Sequence, residues 1–288
     1  MERIFRPRSI AELDQIVQEN KGPLTFVAGA TDLMVQRQHW AEADSLVDLT
    51  AVQELHERID ITDEEVLIGA AVPLSRIIAH PILQQRLPIL IEACRQIGSV
   101  QIQNRATLGG NIANASPAGD SLPVLCVLEA ELWIGPRHNG QFEKSNIEQV
   151  MLNPGETSLN GERYIAFIRI PFLHQDKCYW YFRKVGQRKA LAISKVSLAV
   201  LSWIQERFVT EIRIVPGSVT PQIRRARTTE TILQQQKLSE SLIDAASQAL
   251  TNEVSPISDI RSDERYRRRI CGELLREALF CAMRNHIK

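Results

Sequence analysis

The sequence predicts an α+β protein with two domains, and three observations support this. Short apolar strands and amphipathic helices alternate up to a strand that ends at Pro171. Three β-rich segments then follow one another, as in an antiparallel meander, and the rest of the chain has helical periodicity. The 288 residues are enough for two hydrophobic cores. We therefore expect one domain at residues 1–172 and a second at residues 173–288.

The first domain should begin with a helix. Ser9 and Glu12 form a capping box, and apolar residues follow at helical spacing, so this helix should run from near Ser9 to near Asn20. Asp120 is suited to cap another helix that reaches Glu129. The other expected elements are strands at 24–28, 45–49, 66–70, 131–134 and 162–171, and a buried helix at 88–97.

The second domain should be a three-stranded antiparallel sheet packed against helices. Ser262 is the expected N-cap of the last helix, because Asp263 and Glu264 in its first turn favour the helix dipole. The expected elements are strands at 178–185, 193–204 and 208–215, a helix at 238–253 and a helix whose apolar stripe runs through Tyr266, Ile270, Leu274, Ala278 and Ala282.

Composition and charge exclude several classes of function. The sequence has 34 lysines and arginines and 34 aspartates and glutamates, so its formal net charge is zero. This balance argues against nucleic acid or an anionic membrane as the main partner, because both usually select a basic excess. No apolar run approaches the roughly 20 residues that span a bilayer. The first eight residues contain no apolar core of a signal peptide, so we expect a cytoplasmic protein.

The cysteines and histidines form no metal-binding pattern. The 5 cysteines are scattered and none belongs to a C-x-x-C pair, which is typical of buried small hydrophobic residues. The 6 histidines are scattered as well. An iron–sulfur cluster or a structural zinc needs clustered thiolates, so we expect no metal site on this chain.

Two segments have the composition of phosphate-binding turns. In 27–33, a strand enters a small-residue turn that would let backbone amides approach an anion; an ordinary strand-to-helix turn is the alternative. The polar stretch 99–119 has little periodicity and pairs Gly109 with Gly110, which should expose backbone donors to a pyrophosphate. Asp120 could then bind a ribityl or ribose hydroxyl. A long surface loop is the alternative for this stretch.

These two segments together resemble the two FAD signatures of the xanthine dehydrogenase and carbon monoxide dehydrogenase medium subunits. The matching runs are Ala-Gly-Ala-Thr-Asp-Leu at 28–33 and Asn-Arg-Ala-Thr-Leu-Gly-Gly-Asn-Ile-Ala-Asn-Ala-Ser-Pro-Ala-Gly-Asp at 104–120. The similarity continues at 181–193 and at 258–267. Order and spacing hold over essentially the whole chain, so the resemblance is specific.

The resemblance implies a fold and a set of cofactor contacts. The fold is a two-subdomain FAD-binding module of the vanillyl-alcohol-oxidase type, split near residue 58, followed by the small α+β C-terminal domain of the family. The implied FAD contacts are Phe26, Val27, Ala28, Gly29, Ala30, Thr31, Asp32 and Leu33; Thr107, Leu108, Gly109, Gly110 and Asn111; and Asp120, Ile165 and Lys184.

Two positions depart from the family pattern. Ala30 stands where a second glycine is common, and the turn survives this if its backbone does not need a positive φ. Ala192 stands where an acidic residue is common before Ile193, which affects the surroundings of Lys184. No histidine follows Gly29, which argues for non-covalent FAD.

The resemblance implies an electron-transfer subunit of a heterotrimeric molybdenum hydroxylase. Molybdopterin would lie on a large partner subunit and [2Fe–2S] clusters on a small one, and FAD on this chain would pass electrons to NAD or another acceptor. No side chain here would be catalytic. Xanthine dehydrogenase is the first expectation; carbon monoxide, nicotinate or aldehyde dehydrogenases, a flavin-free scaffold and a stand-alone flavin oxidoreductase stay open.

Two basic clusters, 224–227 and 265–269, have two interpretations. They are either solvated surface or docking sites for partner subunits.

Overall fold

The computed structural model describes residues 3–35, 45–173, 178–188 and 191–285, and these form two compact units. The described residues within 1–85, 97–116 and 129–172 make up the first unit, and those within 86–96, 117–128 and 173–288 make up the second. The two units therefore alternate along the chain. The division of the sequence at residue 172 and the split near residue 58 stay predictions.

The first unit contains a small parallel sheet and a larger antiparallel one. Strands β1 (Arg3–Phe5), β2 (Thr25–Val27) and β3 (Ser45–Asp48) form the parallel sheet in the order β1-β3-β2. Strands β4 (Ile59–Ile61), β5 (Glu65–Gly69), β6 (Glu131–His138), β7 (Gln141–Asn146) and β10 (Tyr164–Pro171) form the antiparallel sheet in the order β4-β5-β10-β6-β7. Strands β8 (Met151–Asn153) and β9 (Glu156–Thr157) pair separately.

Helices cover these sheets and bury one hydrophobic core. Leu13, Val47, Leu55, Tyr164 and Phe167 are among its most buried members. The helices lie at Ile10–Glu19, Gln53–His56, Leu74–Ala79, Pro81–Arg86, Val100–Gln103, Leu108–Ala113 and Ile147–Val150, with a 3₁₀ turn at Leu49–Ala51.

A buried carboxylate joins the first helix to the antiparallel sheet. Asp14 is 7% exposed, and its Oδ1 accepts hydrogen bonds from Tyr164 Oη at 2.6 Å and Arg137 N at 3.2 Å. Its Oδ2 accepts from Arg137 Nε at 2.7 Å. A buried charge is tolerated when it is paired and hydrogen-bonded, and Asp14 meets both conditions.

The second unit contains one antiparallel sheet with helices against it. The prediction of three strands was one short: β11 (Cys178–Val185), β12 (Val196–Gln205) and β13 (Phe208–Gly217) form the meander, and the two-residue β14 (Gln236–Lys237) pairs with β13. A two-residue strand leaves no periodicity to read in a sequence. The helices of this unit lie at Pro88–Arg95, Ser121–Val127, Arg227–Leu233, Glu240–Glu253 and Glu264–Asn285.

Two predicted helix caps were wrong. Asp120 precedes the helix Ser121–Val127, but within the described part of the chain its side chain makes no capping hydrogen bond. The last helix is capped by Asp263, whose Oδ1 accepts from Tyr266 N at 2.9 Å, because Ser262 is engaged in a turn with Asp259. Ser9 caps the first helix as predicted, and its Oγ accepts from Glu12 N at 3.2 Å.

The described residues contain no helix long and apolar enough to cross a membrane. They also contain no group of three or more histidine, cysteine, aspartate or glutamate side chains that could hold a metal ion.

Candidate cofactor-binding site

The two predicted phosphate-binding segments line one cavity of about 400 Å³ in the first unit. The predicted FAD contacts in its lining are Phe26, Val27, Ala28, Gly29, Ala30, Thr31, Asp32, Leu33, Thr107, Gly110 and Asn111. Small residues, among them Ala28, Gly29, Ala30 and Gly110, form part of this lining and let backbone approach a ligand closely, which suits a pyrophosphate. Leu108 and Gly109 are not among the described lining residues.

Gly29 brings the two segments into contact. A Cβ at this position would overlap the carbonyl oxygen of Arg105, which belongs to the turn that precedes Thr107. Only a residue without a side chain permits this approach of two backbones. Gly29 therefore shapes the cavity by holding its two walls together.

The backbone at Ala30 does need a positive φ, at 59°. The condition under which alanine would replace glycine without cost is therefore not met. An alanine in this left-handed conformation costs on the order of 1 kcal/mol. Met34 N donates to Ala30 O at 3.0 Å, so the turn is closed by a hydrogen bond despite this cost.

The paired glycines lie in a helix and not in an open turn. Thr107 caps the helix Leu108–Ala113, and its Oγ1 accepts from Gly110 N at 2.9 Å. Gly109 N donates to Ala70 O at 3.1 Å. The expectation that both glycine amides are exposed donors was wrong, because each has a partner within the fold. Thr107 accepts through its oxygen, so its hydroxyl hydrogen can still be donated into the cavity.

Several lining residues were missed by sequence reasoning. Ile97 and Ile102 are isolated apolar residues at the edge of a polar stretch, and no periodicity connects them. Their common location depends on tertiary contacts. The lining residues outside the predicted contacts are Leu74, Ile97, Ile102, Ala106, Ala113 and Asn114, and of these only Leu74 and Ile97 lie outside the two predicted segments.

Asp120 and Lys184 are brought together inside the second unit. Lys184 Nζ donates to Asp120 Oδ2 at 2.7 Å and to Gln96 O at 2.9 Å. Ser194 Oγ donates to Asp120 Oδ1 at 2.6 Å. Both side chains of the ion pair are only 8% exposed. Sequence reasoning selected Asp120 from its position after the glycine turn and Lys184 through the family resemblance, and it missed Ser194, which lies just before β12.

Burial dominates the electrostatics of this cluster. Desolvation raises the pKa of Asp120, and the charge and hydrogen bond of Lys184 and the hydroxyl of Ser194 lower it in part. Burial, and to a lesser degree the charge of Asp120, raises the pKa of the Cys94 thiol to about 12. Cys94 is therefore neutral beside the ion pair.

Ile165 lies apart from the cavity lining. It is in β10, is 4% exposed and pairs with Ile134 across the sheet. Of the residues that carried the family resemblance in the second domain, Lys189 and Ala190 lie outside the described residues.

A family model described as the FAD-binding domain in molybdopterin dehydrogenase matches residues 1–173 of the sequence. A second model, the CO dehydrogenase flavoprotein C-terminal domain, matches residues 180–282. The chain belongs to the FAD-binding subunits of the molybdopterin dehydrogenases. FAD is therefore its cofactor, and the small-residue cavity fits that cofactor.

Relatives within this family of FAD-binding subunits cover nearly the whole chain. The xanthine dehydrogenase FAD-binding subunit of Escherichia coli O157:H7 is 26% identical over 263 residues, 91% of this chain and 89% of its own. The carbon monoxide dehydrogenase medium chain of Hydrogenophaga pseudoflava is 27% identical over 278 residues, 96% of this chain and 95% of its own. A chain in a solved structure of carbon monoxide dehydrogenase from Hydrogenophaga pseudoflava superposes with a TM-score of 0.90 at 25% identity, covering 98% of this chain and 96% of that one.

Three arginines of the two basic clusters of this FAD-binding subunit are engaged in contacts within the second unit. Arg225 Nε donates to buried Glu230 at 2.9 Å, and Arg267 Nη2 donates to Asp259 at 2.6 Å. Arg268 donates to the carbonyl oxygens of Thr251 and Val254. These three arginines therefore stabilise the second unit, and the docking interpretation is left with the exposed Arg224, Arg227, Arg265 and Arg269.

Proposed function

We propose that this chain is the electron-transfer subunit of a xanthine dehydrogenase-like molybdenum hydroxylase, with FAD held non-covalently in the described cavity. The observation that supports this most is that residues of both FAD signature segments, 28–33 and 104–120, line one cavity. Gly29 and the turn at Arg105 hold its walls together. Two separate signatures that converge on one cavity are expected of a cofactor site.

The chain's own residues would bind and orient the cofactor. The turn at 29–32 and the hydroxyl of Thr107 would contact its pyrophosphate, while Asp120 would accept from its hydroxyl groups. Ile165 and Lys184 complete the proposed set of contacts. FAD supplies the redox chemistry when bound, and the protein positions it and tunes its potential. We assign no catalytic acid, base or nucleophile to this chain.

We propose two partners in a heterotrimer. A large subunit would carry molybdopterin and hydroxylate the substrate, and a small subunit would carry [2Fe–2S] clusters that reduce FAD. NAD or another acceptor would then reoxidise the flavin. We expect the complex in the cytoplasm. Relatives named for carbon monoxide, nicotine and nicotinate support FAD subunits with other substrates equally well.

Purification of the native complex through a tag on this chain tests the proposal. We expect FAD, molybdenum and iron in fixed ratios, two further subunits, and electron transfer from xanthine to NAD. A complex that contains FAD but oxidises a different substrate would correct the substrate and leave the electron-transfer role intact.

The same preparation separates the two other functions considered. A flavin-free scaffold predicts the complex without released FAD after denaturation of this chain. A stand-alone flavin oxidoreductase predicts substrate oxidation by this chain without partners. Either result would overturn the proposed function.

A further inference from the structure

We infer that Ser194 is a further positioning residue of the FAD site, because its hydroxyl fixes the Asp120 carboxylate in the orientation that receives the cofactor. The inference rests on the proposed function, in which Asp120 accepts hydrogen bonds from hydroxyl groups of FAD. Ser194 is 1% exposed and Asp120 is 6% exposed. Their contact at 2.6 Å is a short, charge-assisted hydrogen bond.

Two hydrogen bonds fix the plane of this carboxylate. The terminal torsion of an aspartate is broad, so a single contact from the long Lys184 side chain leaves the carboxylate free to rotate. Ser194 supplies the second contact from a short side chain on the other oxygen. One oxygen of Asp120 is thus held by Ser194 and the other by Lys184.

The backbone that carries Ser194 is itself fixed. The next residue, Lys195, donates from its N to Val185 O at 2.8 Å. Its carbonyl oxygen accepts from Arg267 Nη1 at 3.2 Å. Ser194 therefore has little freedom to follow a carboxylate that moves, and it can impose an orientation on it.

Asp120 keeps capacity for a ligand in this arrangement. Each oxygen of a carboxylate has two lone pairs, and the fold uses one on each. One lone pair on each oxygen stays available for a hydroxyl donor. This matches the chemistry of a polyol chain such as the ribityl group, whose hydroxyls donate to acceptors.

Ser202, in β12 of the same unit, provides a matched control. It is 0% exposed, and its hydroxyl has no hydrogen-bond partner within the described part of the chain. Ser202→Ala removes the same atom from an equally buried position of the second unit. It should leave FAD affinity within about twofold, since removing an unpaired buried hydroxyl costs little.

The first test is a titration of the full-length chain with FAD, in which flavin fluorescence reports binding. We expect Ser194→Ala to raise the dissociation constant of FAD roughly 3- to 30-fold, which lies within the range that contacting residues show in double-mutant cycles. In an Asp120→Asn background the same substitution should have almost no further effect, because the group that it positions is no longer a carboxylate.

The pH profile of FAD affinity is a second readout, which a purely structural role would not move. Burial raises the pKa of Asp120, whereas Lys184 and Ser194 lower it. Affinity that needs the ionised carboxylate is lost as the pH falls through this pKa. Ser194→Ala removes one lowering contact, so the loss should move to a higher pH. Cys94, a further titratable group beside Asp120 and Lys184, has a pKa of about 12 and stays neutral throughout.

The outcomes separate this inference from the proposed function. A wild-type chain that does not bind FAD refutes the proposed function itself. If the wild type binds FAD, the inference is overturned when Ser194→Ala behaves like Ser202→Ala or when its effect persists in the Asp120→Asn background. Should Ser194→Ala fail to fold, Ser194→Cys keeps the size and a weak donor, and an FAD affinity and pH profile equal to those of the wild type would then count against the inference.

Discussion

Gly110 and Gly29 perform different tasks in the cavity, although both are small. A Cβ at Gly110 would meet only Thr107 Oγ1, at 3.0 Å, whereas a Cβ at Gly29 would overlap backbone atoms of Arg105 and Ala106. A side chain at Gly110 would therefore extend toward the cavity proposed for FAD and require only a small shift of the Thr107 hydroxyl. A substitution at Gly110 therefore tests cofactor binding, whereas a substitution at Gly29 tests the fold.

We predict that Gly110→Leu abolishes FAD binding and leaves the protein folded. Leucine is a better helix former than glycine, by roughly 1 kcal/mol, so the helix Leu108–Ala113 should persist. FAD released after denaturation measures binding, and circular dichroism measures folding. Gly22→Leu is the control, since a Cβ there has nothing within 4 Å. A yellow Gly110→Leu protein would contradict the proposed site.

We predict that Ala30→Gly stabilises the first unit by about 1 kcal/mol, because glycine adopts the φ of 59° without steric cost. Ala28→Gly is the control; its backbone is not in the left-handed region, so it should destabilise instead. Urea unfolding of both variants measures the effect. An unchanged or lower stability of Ala30→Gly would show that the turn carries no strain.

At the scale of elements, Asp14 joins the helix Ile10–Glu19 to β6 and β10. We predict that Asp14→Ala lowers the free energy of unfolding by about 3 kcal/mol, since it leaves Arg137 and the hydroxyl of Tyr164 without their buried partner. Glu19→Ala, on the exposed end of the same helix, should cost less than about 0.5 kcal/mol. Equal midpoints of chemical unfolding for the two variants would rule out this role.

Elements with strong local signals were predictable, and elements defined by distant partners were not. The helix at Ile10–Glu19 and the meander of β11, β12 and β13 have clear periodicity and begin or end within three residues of the expected positions. Strand β7 was missed because its residues are almost all polar, as edge strands often are. The helix Leu108–Ala113 was missed because two glycines hide its helical propensity.

The residues of the candidate site divide in the same way, into those with a local signal in the sequence and those defined by distant partners. Gly29 and Thr107 were selected by a resemblance of short segments, and both line the cavity. Ser194 was not selected, because only the folded chain brings it to Asp120, which is 74 residues away in sequence. Residues that bind a ligand through their backbone can be predicted from the composition of a short segment. Residues that position another side chain cannot, because their partner is distant in the sequence.

For the whole molecule, we predict that FAD raises the stability of the chain in proportion to the logarithm of its concentration. A ligand that binds only the folded state adds about 2.7 kcal/mol when its free concentration is 100 times the dissociation constant. Thermal unfolding at increasing FAD concentrations should show a rising midpoint. Gly110→Leu is the matched control, because its unfolding midpoint should not rise with the FAD concentration. A midpoint independent of FAD would exclude a native-state cofactor site.

The alternation of the two units along the chain constrains how this protein can be made. Residues 86–96 and 117–128 belong to the unit completed by residues 173–288, and the helices within them pack against β11, β12 and β13. On the ribosome, these helices are synthesised well before the strands that cover them. The apolar faces of these helices stay uncovered until the strands have been synthesised. Fragments that end near residue 172 should therefore be prone to aggregation and proteolysis.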